Sequence, residues 1–404
     1  MKILQGSFPL QVVPLPQFAE LALREVESLG VAKPRIEGSI ITGYTDWEAA
    51  YRCIYQARLA MRVLAPLTRT SIRTKDELYA AAAAIEWGRL ITPDTTFAVD
   101  VQGQHAEFSR LGYAALVVKD AVVDRCRTAD GVRPSVDTAN PDLRIHLYLS
   151  DRGSSVLSLD IGHGSLHRRG YRSVEAPAPL NEVLAASILE YAGYAPRRPL
   201  LDPFCGYGTI LMEAAMRLLA VPAGYFRTPA FQPDPDWGNP VAWQRVRSSA
   251  LEQMDRRCQQ AERSIREPVL FGGDIDEAAV HSAERTLQRL PLGGIISSFE
   301  VRDAMQLICP RSDIPGLVVT NPPYDERVKT PDTAGLYRGF SLQAKQVLPD
   351  WSVHVVTGSE TGAKAFALRT RNKLQVYNGQ LRCTLLSADI LPPKKLTIPR
   401  KEHP

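Results

Sequence analysis

The chain has 404 residues, 45% hydrophobic and 23% charged, and its 48 basic and 44 acidic side chains leave a net charge of +4. That length exceeds one ordinary domain and supplies a sizeable core, and the composition excludes a disordered or fibrous chain. No apolar run approaches the roughly 18 residues a membrane helix needs, and the nearly cancelling charge means that a polyanion partner must be argued from local features.

The start, MKILQGSFPLQVVPLP, carries one lysine and a short apolar stretch interrupted by prolines, with no small-residue cleavage site after it, so a cytoplasmic location is expected. FAELALREVESLG (18–30) has helical apolar spacing and a glycine suited to end the helix. A strand pair around GSIITGY and a helix over AAYRCIYQARLAMRVL (49–64) complete a small α+β unit. DELYAAAAAIEW is a strong helix former, TFAVDVQG alternates like a strand, and AALVVKDAVVDRCR reads as an amphipathic helix. LRIHLYLS and SSVLSLDIG form a hairpin about Asp151, Arg152 and Gly153. The six cysteines show neither a CxxC pair nor zinc spacing, so neither a disulfide framework nor a metal site is expected.

Near residue 175 the pattern changes. A proline-punctuated linker leads into the helix NEVLAASILEYAGY; then PLLDPF runs into a glycine loop and a helix, VLFGGDID into another helix, and SFEVRDA and GLVVTNPPY follow as strands. Strands alternating with helices predict a parallel, doubly wound α/β sheet. The proline-rich stretch 221–239 reads as an extended insertion before an extra helix, and the basic end PPKKLTIPRKEHP as a loose tail.

Four stretches carry chemistry. In LLDPFCGYGT, Gly206 and Gly208 let the backbone approach a bound nucleoside, and Asp202 can pair with a ligand ammonium group or hold the loop in shape. Asp274, ending the next strand, can accept both hydroxyls of a ribose, or with Asp276 cap the helix from Glu277, the role favoured for Asp276. Asp303 in VRDA can accept a proton from an adenine amino group or be a solvated loop acid. In NPPY, Pro322 and Pro323 donate no backbone proton, so the strand stops with unpaired carbonyls and Asn321 is pushed to extended geometry. The Asn321 side-chain oxygen and the Pro322 carbonyl then form two fixed acceptors for an amino group on a flat ring, with Tyr324 as an exposed aromatic to stack on it. Such a site needs no dedicated base, because holding the amine protons helps bring its lone pair out of conjugation, and the rest is alignment with an electrophile.

In this order the four stretches resemble S-adenosylmethionine-dependent class I methyltransferases acting on exocyclic amines. The segments KDAVVDRCR, RPSVDTANPDLRIHLYL and LSLDIGHGSLHRRGYR resemble a THUMP domain, an RNA-binding module, and HRRGYR followed by APLNEVLAASIL is similar to the join between THUMP and catalytic domains in bacterial enzymes that make N2-methylguanosine. The resemblance, over residues 1 to about 390, is to the guanine-N2 methyltransferase half of the bacterial 23S rRNA enzyme and its single-catalytic-domain relatives.

It implies a ferredoxin-like part (1–65), a THUMP domain (66–165), a linker (166–180), a Rossmann-like class I methyltransferase domain (181–392) and the tail (393–404). It assigns Asp202, Pro203, Cys205, Gly206, Gly208, Thr209, Asp274, Ile275, Asp303, Ala304 and Asn321 to S-adenosylmethionine, and Asn321, Pro322, Pro323 and Tyr324 to the target base. Asn181 lies in the helix that closes over the cofactor in such enzymes. Tyr207, where many relatives have serine, and Asp325, where many have glycine, depart from the pattern and bear on substrate preference. With one catalytic domain, one methylation is expected.

Arg168, Arg169 and Arg172, with Tyr171 between them, could grip RNA phosphates, and Lys119, Arg125 and Arg127 are further candidates. The expected partner is RNA, 23S rRNA ahead of tRNA, with no membrane, and no feature specifies an oligomeric state. The rival readings are a tRNA guanine-N2 methyltransferase, an adenine-N6 or protein-glutamine methyltransferase, and a non-catalytic RNA-binding assembly factor.

Overall fold

The computed structural model describes residues 4, 6–152, 154–172, 180–227, 234, 237–324 and 332–392. The basic tail, Asp325, the turn glycine Gly153 and much of the proline-rich insertion lie outside them. The chain divides into two compact units, Met1–Tyr171 with Pro222–Gln253, and Arg172–Val221 with Met254–Pro404.

In the first unit, strand β1 (Phe8–Pro14) precedes helix α1 (Ala19–Ser28), the hairpin β2 (Ala32–Glu37) and β3 (Ile40–Thr45), helix α2 (Trp47–Gln56) and strand β4 (Ala60–Thr70). The helix expected over 49–64 therefore ends early. Ala57 turns extended at φ −63°, ψ 128°, and the buried carboxylate of Glu25 accepts the N–H groups of Arg58 and Leu59 at 2.8 and 3.0 Å. Those donors are thus satisfied outside a helix, and Val63, Leu64 and Ala65 enter a strand paired with β1.

Helix α3 (Lys75–Ala83), strand β5 (Thr96–Gln104), helix α4 (Leu111–Cys126) and strands β6 (Ser135–Val136), β7 (Leu143–Ser150) and β8 (Ser155–Asp160) follow. Thr74 caps α3 by accepting from the Glu77 N–H, and β7 and β8 form the expected antiparallel hairpin. One eight-stranded sheet, ordered β2-β3-β1-β4-β8-β7-β5-β6, runs through the whole unit, and β4 spans the expected boundary at residue 65. Residues 222–253 join this unit through aromatic contacts: Trp237 lies 6.0 Å from Trp47, and Trp243 meets Tyr51 and Tyr55 edge-on.

The second unit contains helix α5 (Glu182–Tyr191), strand β9 (Leu200–Asp202), helix α6 (Thr209–Leu218), the end of the long helix α7 (Pro240–Ser264), strand β10 (Leu270–Asp274), helix α8 (Glu277–Gln288), the short helix α9 (Gly293–Ile296), and strands β11 (Ser297–Val301) and β12 (Leu317–Thr320). Beyond them come helix α10 (Thr333–Val347), strand β13 (Ser352–Thr357), helix α11 (Glu360–Ala365) and strands β14 (Thr370–Asn378) and β15 (Leu381–Asp389). The sheet order is β11-β10-β9-β12-β13-β15-β14, parallel from β11 to β13, with β15 antiparallel to both neighbours. Renumbered within the unit, that is 3-2-1-4-5-7-6. The order reverses between β9 and β12, so their carboxyl ends bound the crevice where an open α/β sheet binds ligands. Val318, Val353 and Val355 of the central strands pack with Tyr337, Phe340 and Trp351 into the core beneath that crevice.

Candidate active site

The glycine loop leaves β9 at Asp202, which is 1% exposed. Its Oδ1 accepts the Thr320 hydroxyl at 2.6 Å and the Phe204 N–H at 3.2 Å. Of the two roles open to Asp202, the geometry shows the second, because the carboxylate is buried and shapes the loop. Burial pushes its carboxyl up to about 7, against the two hydrogen bonds, and the charge of Asp274 raises it further.

The loop is tied down elsewhere too. The Cys205 N–H donates to the Gly273 carbonyl at 2.8 Å, the Gly206 N–H to Asp274 Oδ2 at 2.8 Å, and the Gly208 N–H to the Cys205 carbonyl at 2.8 Å. The Cys205 thiol is buried, and that burial holds it well above the usual thiol range, so it is no nucleophile. Two glycines serve different ends. Gly206 has φ +47° and open space where a side chain would project, so a ligand can approach its backbone. Gly208 has φ +79°, and a Cβ there would lie 2.8 Å from Ala283 Cβ of α8, so this glycine seats one helix against another. Thr209 opens α6, and its Oγ1 accepts from Arg172 at 3.1 Å.

Asp274, at the end of β10, has one oxygen on the Gly206 N–H and the other on the Asp276 N–H at 3.0 Å. Each keeps a lone pair, enough to receive a pair of hydroxyls. Ile275 beside it is 74% exposed. Asp276 caps α8 through the Ala278 and Ala279 N–H groups, as favoured for it. Asp303 accepts from the Met305 N–H at 2.9 Å and opens a 3-10 turn, Ala304–Gln306. Pro203, Gly273, Asp303 and Ala304 line one open cleft, together with the apolar Leu201, Phe271 and Leu307 and the charged Glu300 and Arg302. Leu307 and Arg302 went unmarked in the sequence because nothing local distinguishes them.

Across the switch point, Thr320 ends β12 fully buried, and Asn321, Pro322, Pro323 and Tyr324 follow in no regular element. Asn321 Oδ1 is buried and has no hydrogen-bond partner among the described residues. A buried acceptor left unmade costs about 1–3 kcal/mol, so this atom has the capacity to take a further donor. The expectation of an exposed aromatic is corrected: Tyr324 is only 6% exposed. A Cβ on Gly358, just beyond β13, would come within 3.2 Å of the Tyr324 ring, so the bare glycine is the ring's seat.

Other expectations are also corrected. Arg169 is 2% exposed and donates to the Leu166 and Arg58 carbonyls at 3.0 and 2.7 Å, so it braces the loop end rather than reaching solvent; Tyr171 is buried as well. Arg172 donates to the Leu180 carbonyl and Thr209 and pairs with the buried Glu182 at 3.3 Å, which ties the starts of α5 and α6 together and leaves it unsuited to phosphate. Asn181 caps α5 by accepting from the Leu184 N–H at 3.0 Å. Arg168 and Arg125 are exposed, Lys119 pairs with Asp120 at 2.5 Å, and Arg127 lies 3.7 Å from Asp124. Among the described residues no group of three or more His, Cys, Asp or Glu is gathered as for a metal, and no helix is long and apolar enough to cross a membrane.

The strand order, the glycine loop at the switch point and the motif after β12 define a class I methyltransferase fold. The chain belongs to the RMKL-like methyltransferase domain family, whose model matches residues 169–387, and residues 73–159 match the THUMP domain. It is 35% identical over 405 aligned positions to ribosomal RNA large subunit methyltransferase K/L of Pseudomonas entomophila (strain L48), covering 95% of this chain and 52% of that protein. The chain thus spans about half the length of the curated relatives it matches. Among solved structures, a "possible methylase" from Clostridium difficile 630 superposes with a TM-score of 0.79 at 25% identity, over 96% of this chain and 99% of that one. SMU.472, solved as a complex with SAH, superposes at 0.78 with 23% identity, over 96% and 100%.

Proposed function

We propose that the chain is a cytoplasmic S-adenosylmethionine-dependent enzyme that methylates the exocyclic N2 amine of a guanine in structured RNA, with large-subunit ribosomal RNA as substrate. The observation that carries this reading is the buried Asn321 Oδ1 at the switch point, which has no hydrogen-bond partner among the described residues and lies next to two prolines and a seated tyrosine.

The residues fit the cofactor: the space above Gly206 is open, Asp274 has accepting capacity to spare, exposed Ile275 offers an apolar face, and the cleft holds Asp303 and Ala304. When bound, S-adenosylmethionine supplies an electrophilic methyl group. The chain's own part is orientation. Asn321 Oδ1 and the Pro322 carbonyl accept hydrogen bonds from the two amine N–H groups, Tyr324 bounds the base, the one proton lost on methylation goes to water, and the tied loop holds its place for a ligand. A guanine in a stem has to leave its stack, a cost of a few kcal/mol that contacts by the THUMP part would offset. The RNA substrate is supported by the THUMP match and by relatives named for large-subunit ribosomal RNA.

The test is transfer from labelled S-adenosylmethionine to unmodified rRNA and tRNA offered separately, with nucleoside mass spectrometry and Asn321→Ala as control. N2-methylguanosine in rRNA, reduced at least about 100-fold in the control, is expected. The same product in tRNA overturns the substrate, and N6-methyladenosine overturns the base. A folded protein that binds no cofactor in calorimetry overturns the enzymatic reading in favour of an assembly role.

A further inference from the structure

The backbone ladder between β9 and β12 pairs Leu200 with Leu317 and Leu201 with Val318, and stops there. Asp202 continues in register with β10, opposite Gly272, and Thr320 continues in register with β13, opposite Val355. Beyond Val318, therefore, the strand that feeds the glycine loop and the strand that feeds Asn321 are each held to their outer neighbour while the ladder between them has ended. The Thr320 hydroxyl bridges that gap, donating to Asp202 Oδ1 at 2.6 Å with both residues buried. The same oxygen accepts the Phe204 N–H, so one carboxylate atom joins the residue before Asn321 to the second residue of the loop.

Resting on the methyl-transfer reading above, we propose that Thr320 is a positioning residue, whose hydroxyl holds the base-binding motif 321–324 in register with the cofactor loop 203–208. It touches neither ligand. Its effect is geometric, since in-line transfer depends steeply on the alignment of two groups carried by strands that no longer share a ladder. A hydroxyl suits the task because it donates to the carboxylate in any rotamer that reaches it, while the Thr320 methyl fills the fully buried end of β12. Valine keeps that shape and removes the donor; serine keeps the donor and removes a methyl.

The experiment compares wild type, Thr320→Val and Thr320→Ser, each checked for fold by circular dichroism and thermal unfolding. Steady-state transfer, SAH affinity by calorimetry, and a cofactor-free measurement, the carbon-13 carboxyl titration of Asp202, are read on all three. Thr320→Val is expected to lower kcat by about 10- to 100-fold with KM for RNA within about 3-fold, and to move the Asp202 titration upward; Thr320→Ser is expected to recover both. If Thr320→Val transfers at the wild-type rate, or loses only thermal stability, the positioning role is overturned alone. A wild type that binds no cofactor and transfers no methyl overturns the methyl-transfer reading and this inference with it.

Discussion

Asp202→Asn separates the charge of the loop-holding carboxyl from its shape. An asparagine keeps an oxygen for the Thr320 hydroxyl and the Phe204 N–H but cannot ionise. Burial lifts this carboxyl from an ordinary 3.8 to about 7, with Asp274 adding to the rise. In the folded chain Asp202 therefore keeps its proton between about pH 4 and 7, where the unfolded chain has lost it. The contribution is fully present below the ordinary value and is lost as pH rises through about 7, so stability falls with pH across that window by up to about 4 kcal/mol. Asp202→Asn lacks that decline, so its stability relative to wild type grows from pH 5 to pH 8. The direct assay is carbon-13 carboxyl NMR of aspartate-labelled protein without cofactor, in which the resonance absent from Asp202→Asn should titrate near 7. A midpoint near 4, or a stability difference between the two proteins that stays flat from pH 5 to 8, refutes the reasoning.

Four further outcomes are expected. Gly208→Ala forces a side chain at φ +79° to within 2.8 Å of Ala283, and should cost about 2–4 kcal/mol, read as a lowered thermal midpoint. Gly358→Ala pushes a methyl to 3.2 Å from the Tyr324 ring, and should reduce methyl transfer several-fold while SAH affinity by calorimetry stays within about 2-fold. Arg168→Ala, at an exposed position, should flatten the salt dependence of RNA binding by about one phosphate contact, whereas Arg169→Ala should lower the melting temperature, because it leaves the Leu166 and Arg58 carbonyls without their donor.

Much of the second unit was legible because its strands carry local marks. The runs LLD, LFGGD and LVVT each end in a residue type that suits a strand's carboxyl end, and the glycines and prolines punctuate them. The hairpin of β14 and β15 also has a local mark, since Asn378 pairs with Leu381 across the two-residue turn Gly379-Gln380 and Gly379 takes φ +66°. The early end of α2 was not legible in the same way, because it depends on Glu25, more than thirty residues away, accepting two N–H groups. The arginines of HRRGYR show the same limit on local reading. Their spacing is that of a basic turn, yet Arg169 turns inward and Arg172 finds Glu182, and only tertiary contacts separate them from exposed Arg168.

That distinction also explains how the site is built. Residues whose role follows from backbone conformation, such as Gly206, Gly208 and Pro322, are visible in one dimension, since few alternatives fit their positions. Those whose role is to hold another residue are not: Thr320 reads as an ordinary strand end, and Gly358 as an ordinary turn. In the loop, the N–H groups of Phe204, Cys205, Gly206 and Gly208 are all engaged with the protein's own acceptors. Those bonds fix much of the loop's shape, and they leave an open surface above Gly206. On the facing strand the arrangement is the opposite, with Asn321 Oδ1 buried and unpartnered among the described residues. On the methyl-transfer reading proposed above, the tied loop leaves a surface open to the cofactor while the asparagine offers an acceptor, and discrimination among amines would rest on that hydrogen bond.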